Sequence, residues 1–126
     1  MIYGIGTDIV RVDRMRRAFA RFGTSFARRI LTETELNEFE NDSRKSHFLA
    51  KRFAAKEACA KAMRIGFRSG LSLRHIGLVH DSAGRPQLAF FGYAQAFAEQ
   101  ERIGATHVSL SDEADYALAF VILMRA

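Results

Sequence analysis

Residues 48–64 constrain the fold of this chain more than any other segment. The segment contains no Gly or Pro and is rich in Ala, Leu, Lys, Arg and Glu, so it is predicted to be a helix. At helical rise it spans about 25 Å, roughly the width of a small domain. One apolar stripe is formed by Leu49, Phe53, Ala60 and Met63. A second face, on which another backbone can come very close, is formed by Ala50, Ala54 and Ala58.

Glu57 and Lys61 lie between these two surfaces, one helical turn apart. Taken alone, such a pair is most often an ion pair on a solvated helix face, where it is weakly stabilising. On a helix apolar enough to be internal, however, a carboxylate beside an ammonium also fits a functional site. Other features of the sequence are needed to choose between an ion pair and a functional site.

The N-terminal residues alternate as a β-strand. Residues 3, 5, 7 and 9 point one way, and Gly4, Gly6, Asp8 and Val10 point the other. Glycine weakens a strand unless another backbone or a ligand approaches closely, and the alanine face of the 48–64 helix is the natural candidate. Asp8 would then lie near Glu57, and a carboxylate on an apolar strand needs a partner or a function.

The next segment combines a predicted helix with a run of arginines. Asp13 is expected to be the N-cap of a helix ending near Phe22, with Gly23 as its stop. Arg14, Arg17 and Arg21 recur on one side, and no acidic residue occurs between residues 14 and 29. Such a face usually is merely solvated, but its uniform charge also resembles a docking surface for an acidic partner.

Length and composition limit the class of protein. The chain has 126 residues, 48% of them hydrophobic, which suits one domain over residues 1–126. A net charge of +5 predicts anionic partners such as phosphates, nucleic acid or an acidic protein. We expect no membrane segment and no signal peptide, and the single Cys59 suits a buried position in a cytoplasmic protein.

The remaining segments predict an α+β fold. A capping-box pattern at residues 32–35 opens a short helix. Two hairpins are expected, one over residues 75–91 with its turn at 81–84, and one over residues 106–123. Between them lies a helix over residues 93–103. We therefore predict an antiparallel sheet, made of the hairpins and the N-terminal strand, packed on the long central helix, in the order β-α-α-α-β-β-α-β-β.

Two separated motifs resemble those of a known family. Residues 4–10, Gly-Ile-Gly-Thr-Asp-Ile-Val, together with residues 52–62, Arg-Phe-Ala-Ala-Lys-Glu-Ala-Cys-Ala-Lys-Ala, resemble the 4′-phosphopantetheinyl transferases. Within that family the chain is similar to the short holo-acyl-carrier-protein synthase group, and the likeness includes residues 81–86 and 107–111. Two carboxylates, a lysine and a basic surface are also what Mg²⁺-assisted phosphoryl transfer requires.

The resemblance implies an activity and a set of site residues. It implies transfer of phosphopantetheine from coenzyme A to a serine of an acidic acyl carrier protein, in fatty acid biosynthesis, with release of adenosine 3′,5′-bisphosphate. Asp8 and Glu57 would bind Mg²⁺, and Lys61 would contact the attacked phosphate. The first helix would receive the carrier protein. Family members are homotrimers with sites between subunits, so that coenzyme A would also be contacted by Arg52, Gly66, Pro86 and His107.

Two departures from the family pattern and two alternative functions remain. Many relatives carry Gly-Thr where this chain has Arg64-Ile65, and many carry His where Asp112 stands. A basic nucleic-acid-binding domain would explain the charge but not the paired carboxylates or the glycine-rich strand. A Mg²⁺-dependent phosphohydrolase would use the same groups but would need no protein acceptor. The sequence does not indicate which carrier proteins or coenzyme A analogues are accepted.

Overall fold

The central helix and the N-terminal strand form the middle of the computed structural model, which describes residues 1–68 and 70–126. The elements, in chain order, are β1 (Ile2–Arg11), α1 (Val12–Phe22), α2 (Thr24–Ile30), α3 (Glu33–Glu40), α4 (Lys45–Met63), a 3-10 turn (Leu73–His75), β2 (Ile76–His80), β3 (Pro86–Phe90), α5 (Gly92–Gln100), β4 (Ile103–Asp112) and β5 (Tyr116–Arg125). The predicted α+β class is confirmed, and helix α2 is one element that the sequence pattern did not reveal.

The strands form two sheets. β5 is the middle strand of an antiparallel sheet with the order β1-β5-β4. In the part of the chain that the structure describes, β2 and β3 pair only with each other, as a separate two-stranded sheet. The expectation of a single sheet containing both hairpins was therefore wrong. The separation leaves β2–β3 dependent on side-chain contacts with its neighbours.

Helix α4 is buried along most of its length. Both predicted faces are in the core, and two charged side chains, Arg52 and Lys56, are buried as well. The helix packs against the inner face of the three-stranded sheet, where β5 presents Ala117, Ala119, Val121 and Leu123. These small and branched side chains alternate with outward-facing ones, as expected for a strand with one buried face.

Strand β1 lies directly against the backbone of α4, as its glycines predicted. A Cβ atom added to Gly6 would lie 1.9 Å from the carbonyl oxygen of Ala58, and one added to Gly4 would lie 2.0 Å from that of Ala62. No side chain fits at either position. Tyr3 departs from the predicted alternation: it is buried, because the pairing register shifts between Ile2 and Gly4.

Local details at the helix ends follow the sequence in part. Thr32 forms the predicted capping box with Glu35, and the helix before Gly23 ends at Phe22. Asp13 is not an N-cap, which was a wrong prediction: Arg11 occupies that position and Asp13 lies in the first turn of α1. There its carboxylate pairs with arginines one turn further along. None of the helices in the described parts of the chain is both long and apolar enough to cross a membrane.

Candidate active site

Asp8 and Lys61 meet where β1 crosses α4. Asp8 is half-buried and pairs in register with Ala119 of β5. The Lys61 ammonium donates to Asp8 Oδ1 at 3.2 Å and to the Thr7 carbonyl oxygen at 3.0 Å. Since Lys61 remains largely exposed, this contact is accessible from solvent. The interpretation of Lys61 as a mere partner of Glu57 on a solvated helix face does not fit this geometry.

Glu57 lies within electrostatic reach of the same groups. Burial raises the pKa of the Glu57 carboxyl above its ordinary value, and the negative charge of Asp8 raises it further. Lys61 and Arg14 act in the opposite direction but do not cancel the shift. The structure therefore brings Asp8, Glu57 and Lys61 together, and the two carboxylates repel each other.

The donor set of this site suits a hard divalent cation. Two carboxylate groups held near each other provide oxygen ligands, and a cation between them would remove the repulsion that raises the Glu57 pKa. Across residues 1–68 and 70–126 there is no cluster of three or more His, Cys, Asp and Glu side chains that could enclose a metal. Mg²⁺ does not need one, because it is commonly bound by one or two carboxylates while waters and substrate phosphates complete its shell. The residues present fit Mg²⁺.

One of the three predicted docking arginines of α1, Arg14, adjoins this site. Arg14 lies over the ring of Phe53, with its Cζ 5.3 Å from the ring centroid. Phe53 precedes Glu57 by one turn of α4, which explains why the Arg14 charge acts on the Glu57 pKa. Arg17 is exposed and contacts Asp13 at 3.1 Å. Arg21, at the last turn, lies over Phe22, which is itself exposed.

Two adjoining cavities lie beside the first half of α4. Their volumes are about 300 and 290 Å³, and they share Lys51, His80 and Leu110. Arg52 lines the first cavity and Pro86 the second. Neither cavity is lined by Asp8, Glu57 or Lys61. These cavities, which we call the hairpin cleft, were not predicted as such, although Arg52 and Pro86 were.

The other predicted coenzyme A residues lie on different elements. His107 is exposed on the outward face of β4, opposite Ile122 of β5. Gly66 lies in the loop after α4, with a positive φ of 65°. Arg52 is 6% exposed and donates from Nη1 to the carbonyl oxygen of Leu78 at 2.8 Å. In the described part of the chain, no hydrogen bond or ion pair joins Arg52 or His107 to Asp8, Glu57 or Lys61.

The two departures from the family pattern have clear local geometry. Arg64 ends α4 in a left-handed conformation, with φ 69°, that ordinarily favours glycine. Its guanidinium stacks on the Tyr3 ring, 4.5 Å from the centroid, and donates to the Tyr3 carbonyl oxygen. Asp112 lies 3.9 Å from Arg44 and 4.0 Å from Lys51, so it faces the basic side of the hairpin cleft.

Replacing Glu57 by Gln should raise the melting temperature of the metal-free protein at neutral pH. Because the Glu57 pKa is higher in the folded state than in the unfolded one, its favourable contribution is complete only below the ordinary carboxyl pKa. This stabilisation of the folded state is lost as pH rises through the folded-state pKa of Glu57. At neutral pH the ionised Glu57 therefore destabilises the fold relative to glutamine, which carries no charge. Thermal denaturation between pH 3 and 8 measures the difference, which should vanish at acid pH. Glu99→Gln, on the exposed side of α5, is the matched control. A wild-type protein more stable than Glu57→Gln at neutral pH would contradict this electrostatic description.

Comparison with known proteins places the chain in one family. The sequence model described as the 4′-phosphopantetheinyl transferase superfamily matches residues 4–121. The holo-[acyl-carrier-protein] synthase of Vibrio cholerae is 47% identical over 125 residues, which cover 99% of both chains. The crystal structure of the same enzyme from Neisseria meningitidis has a TM-score of 0.92 at 48% identity, covering 99% of this chain and 100% of that one. The Helicobacter pylori enzyme, solved in complex with coenzyme A, has a TM-score of 0.84 at 29% identity, covering 95% of this chain and 99% of that one. The chain belongs to the 4′-phosphopantetheinyl transferase superfamily.

Proposed function

We propose that Asp8, Glu57 and Lys61 are the reaction centre of a holo-[acyl-carrier-protein] synthase. The enzyme transfers 4′-phosphopantetheine from coenzyme A to a serine of an apo acyl carrier protein. The observation that carries the assignment of the site is the approach of β1 to α4, which places a strand carboxylate beside a helix carboxylate and a lysine. The family model and the coenzyme A complex of a related protein support the reaction class.

The reaction exchanges one phosphorus–oxygen bond for another. The serine oxygen attacks the phosphorus attached to pantetheine, and the bond from that phosphorus to the oxygen bridging the pyrophosphate breaks. The bridging oxygen leaves with adenosine 3′,5′-bisphosphate, and the serine proton passes to a base. Asp8 is the carboxylate positioned for that role, directly or through an ordered water, because it is half-buried yet contacts the exposed Lys61.

Lys61 supplies positive charge where the phosphoryl group reacts. Its ammonium already lies against a carboxylate and a carbonyl oxygen, so its position is fixed before substrate binds. Asp8 and Glu57 would hold Mg²⁺, which when bound neutralises charge on the pyrophosphate and polarises the attacked phosphorus. Burial and the Asp8 charge both raise the pKa of Glu57, and a cation held between the two carboxylates would offset that cost of ionisation.

We propose that the complete site forms between copies of this chain in a homotrimer. The outward face of the three-stranded sheet exposes large apolar side chains, among them Ile5 at 58% and Ile9 at 60%, with Leu118 and Phe120 beside them. A second copy of the chain is the occupant that this face suits. The hairpin cleft of one copy could then face the reaction centre of another, so that Arg52, Gly66, Pro86 and His107 contact one coenzyme A molecule. Light scattering that gave a monomeric mass would contradict this assembly.

We propose further that α1 receives the carrier protein. Arg14, Arg17 and Arg21 lie on a helix that begins four residues after Asp8, so an acidic partner held there brings its serine close to the reaction centre. One domain over residues 1–126 and a cytoplasmic setting complete the proposal. They are supported by the matched span of residues 4–121 and by the single, buried, unpaired cysteine.

Transfer is tested most simply by mass spectrometry. An apo acyl carrier protein incubated with the chain, coenzyme A and Mg²⁺ should gain the mass of one phosphopantetheine group. Asp8→Ala should abolish the gain while leaving the circular dichroism spectrum unchanged.

Lys61→Ala should lower kcat by about 10²- to 10³-fold with little change in KM for coenzyme A, because the lysine acts mainly in the transition state. Lys45→Ala, at the opposite end of α4, is the control. Full activity of Asp8→Ala at limiting Mg²⁺ would refute the proposed site.

Reversing the charge of Arg21 should weaken carrier-protein binding alone. Arg21 is preferred to Arg14 because the Arg14 charge also acts on Glu57. Arg21→Glu should raise KM for the carrier protein on the order of tenfold at low ionic strength, and less at high salt, where the wild-type attraction is screened. Arg102→Glu makes the same charge change in the turn before β4 and should have little effect. Loss of coenzyme A binding with carrier-protein binding intact would assign Arg21 to the nucleotide site instead.

A further inference from the structure

Within the described residues, one edge of strand β2 is covered by no other strand. The Phe91 amide donates to the His75 carbonyl oxygen at 2.8 Å, and the Asp81 amide donates to that of Arg85 at 3.0 Å. In the antiparallel register, the odd-numbered residues from 75 to 81 therefore bond to β3. The backbone N–H and C=O groups of Ile76 and Leu78 point away from β3, toward the uncovered edge. Both residues are buried, so water does not satisfy these groups.

Three charged side chains take the place of the missing neighbouring strand. The Leu78 amide donates to Glu35 Oε2 at 2.9 Å, and the Leu78 carbonyl oxygen accepts from Arg52 Nη1 at 2.8 Å. The Ile76 carbonyl oxygen accepts from the Lys56 ammonium. Helices α3 and α4 thus supply, through side chains, the hydrogen bonds that a further strand would have supplied through its backbone.

Glu35 pairs with both cations, and Glu38 supplies the second negative charge, with its Oε1 3.7 Å from Arg52 Nη1. Lys56 Nζ lies 2.7 Å from Glu35 Oε1, and Arg52 Nη1 lies 3.4 Å from Glu35 Oε2. Glu35 and Lys56 are each 1% exposed. Lys56 also donates to the Leu73 carbonyl oxygen, and Glu35 accepts from the Thr32 amide. Buried charges are tolerated only when paired and fully hydrogen-bonded. In the described part of the chain, no buried side-chain nitrogen or oxygen lacks a partner.

The position of the β2–β3 hairpin depends on this cluster. A two-stranded hairpin is at best marginally stable alone, and this one pairs with no other strand among residues 1–68 and 70–126. His80 and Pro86, at its turn end, line the hairpin cleft. On α4, Lys56 immediately precedes Glu57, so the same turn of helix holds the hairpin on one side and faces the reaction centre on another.

We propose that Glu35 and Lys56 are positioning residues for coenzyme A. They hold the β2–β3 hairpin at a fixed distance from α4, and their side chains are buried away from the hairpin cleft. The inference rests on the proposed function, because it takes the hairpin cleft to be part of the coenzyme A site. It adds a role for two buried residues that the transfer chemistry does not use.

Glu35→Gln separates a positioning role from a general loss of stability. The variant keeps the size of the side chain but removes the charge that holds Leu78 and Lys56. We expect faster hydrogen–deuterium exchange at the Leu78 amide and a KM for coenzyme A raised about tenfold, with kcat at saturating coenzyme A changed less than about twofold. Lys56→Arg keeps the buried charge but changes its geometry, and it should give the same pattern if Glu35→Gln does not fold.

A core variant of equal thermal stability is the control. Leu123→Ala, in the buried face of β5 away from the hairpin cleft, should lower the melting temperature without raising KM for coenzyme A. An equal rise of KM in Leu123→Ala, or unchanged KM and Leu78 exchange in both cluster variants, would overturn the inference. If the wild-type chain itself binds no coenzyme A, the proposed function fails, while Leu78 exchange still tests whether the cluster holds the hairpin.

Discussion

The close contact between the backbones of β1 and α4 is the constraint on which the rest of the structure depends. It requires residues without a side chain at Gly4 and Gly6, and small residues such as Ala58 and Ala62 on the facing turn of the helix. Any larger residue at these positions would separate the two elements. Because Asp8 follows on the same side of β1 and Glu57 precedes Ala58, the contact that builds the core also brings two carboxylates together. The packing of β1 on α4 and the proximity of Asp8 to Glu57 therefore both follow from the same glycine contact.

Helix α4 carries two kinds of charged side chain, which differ in burial and in the charges around them. Lys56 is buried, and burial lowers the pKa of its ammonium while the nearby Glu35 charge opposes that shift. Lys56 can hold β2 in place only because its ammonium is hydrogen-bonded to Glu35 and to the carbonyl oxygens of Leu73 and Ile76. Glu57, one residue later, is only half-buried, and burial together with the nearby Asp8 charge raises the pKa of its carboxyl. Such an unfavourable arrangement suits a site that is completed by a cation or substrate, because ligand binding then relieves the repulsion.

Much of this arrangement could be predicted from the sequence, because it follows from local patterns. The contact was predicted by glycines that alternate with Asp8 in a strand and by alanines that recur beside Glu57. The capping box at Thr32 was equally local. What the pattern missed depended on partners distant in sequence. Glu35 looked only like part of a helix cap, yet its carboxylate also binds Leu78, 43 residues away. Likewise, Tyr3 is buried because of a register shift that alternation alone does not reveal.

The central claim is that the contact between β1 and α4 makes Asp8 and Glu57 ligands of one divalent cation. The most direct test is a crystal structure of the chain grown with coenzyme A and Mn²⁺, a substitute for Mg²⁺ whose anomalous scattering locates the ion. We expect one anomalous peak within about 2.0–2.3 Å of an oxygen from each carboxylate, with the remaining positions taken by water and pyrophosphate oxygens. A peak that contacts neither carboxylate, or only one of them with the other turned away, would contradict it.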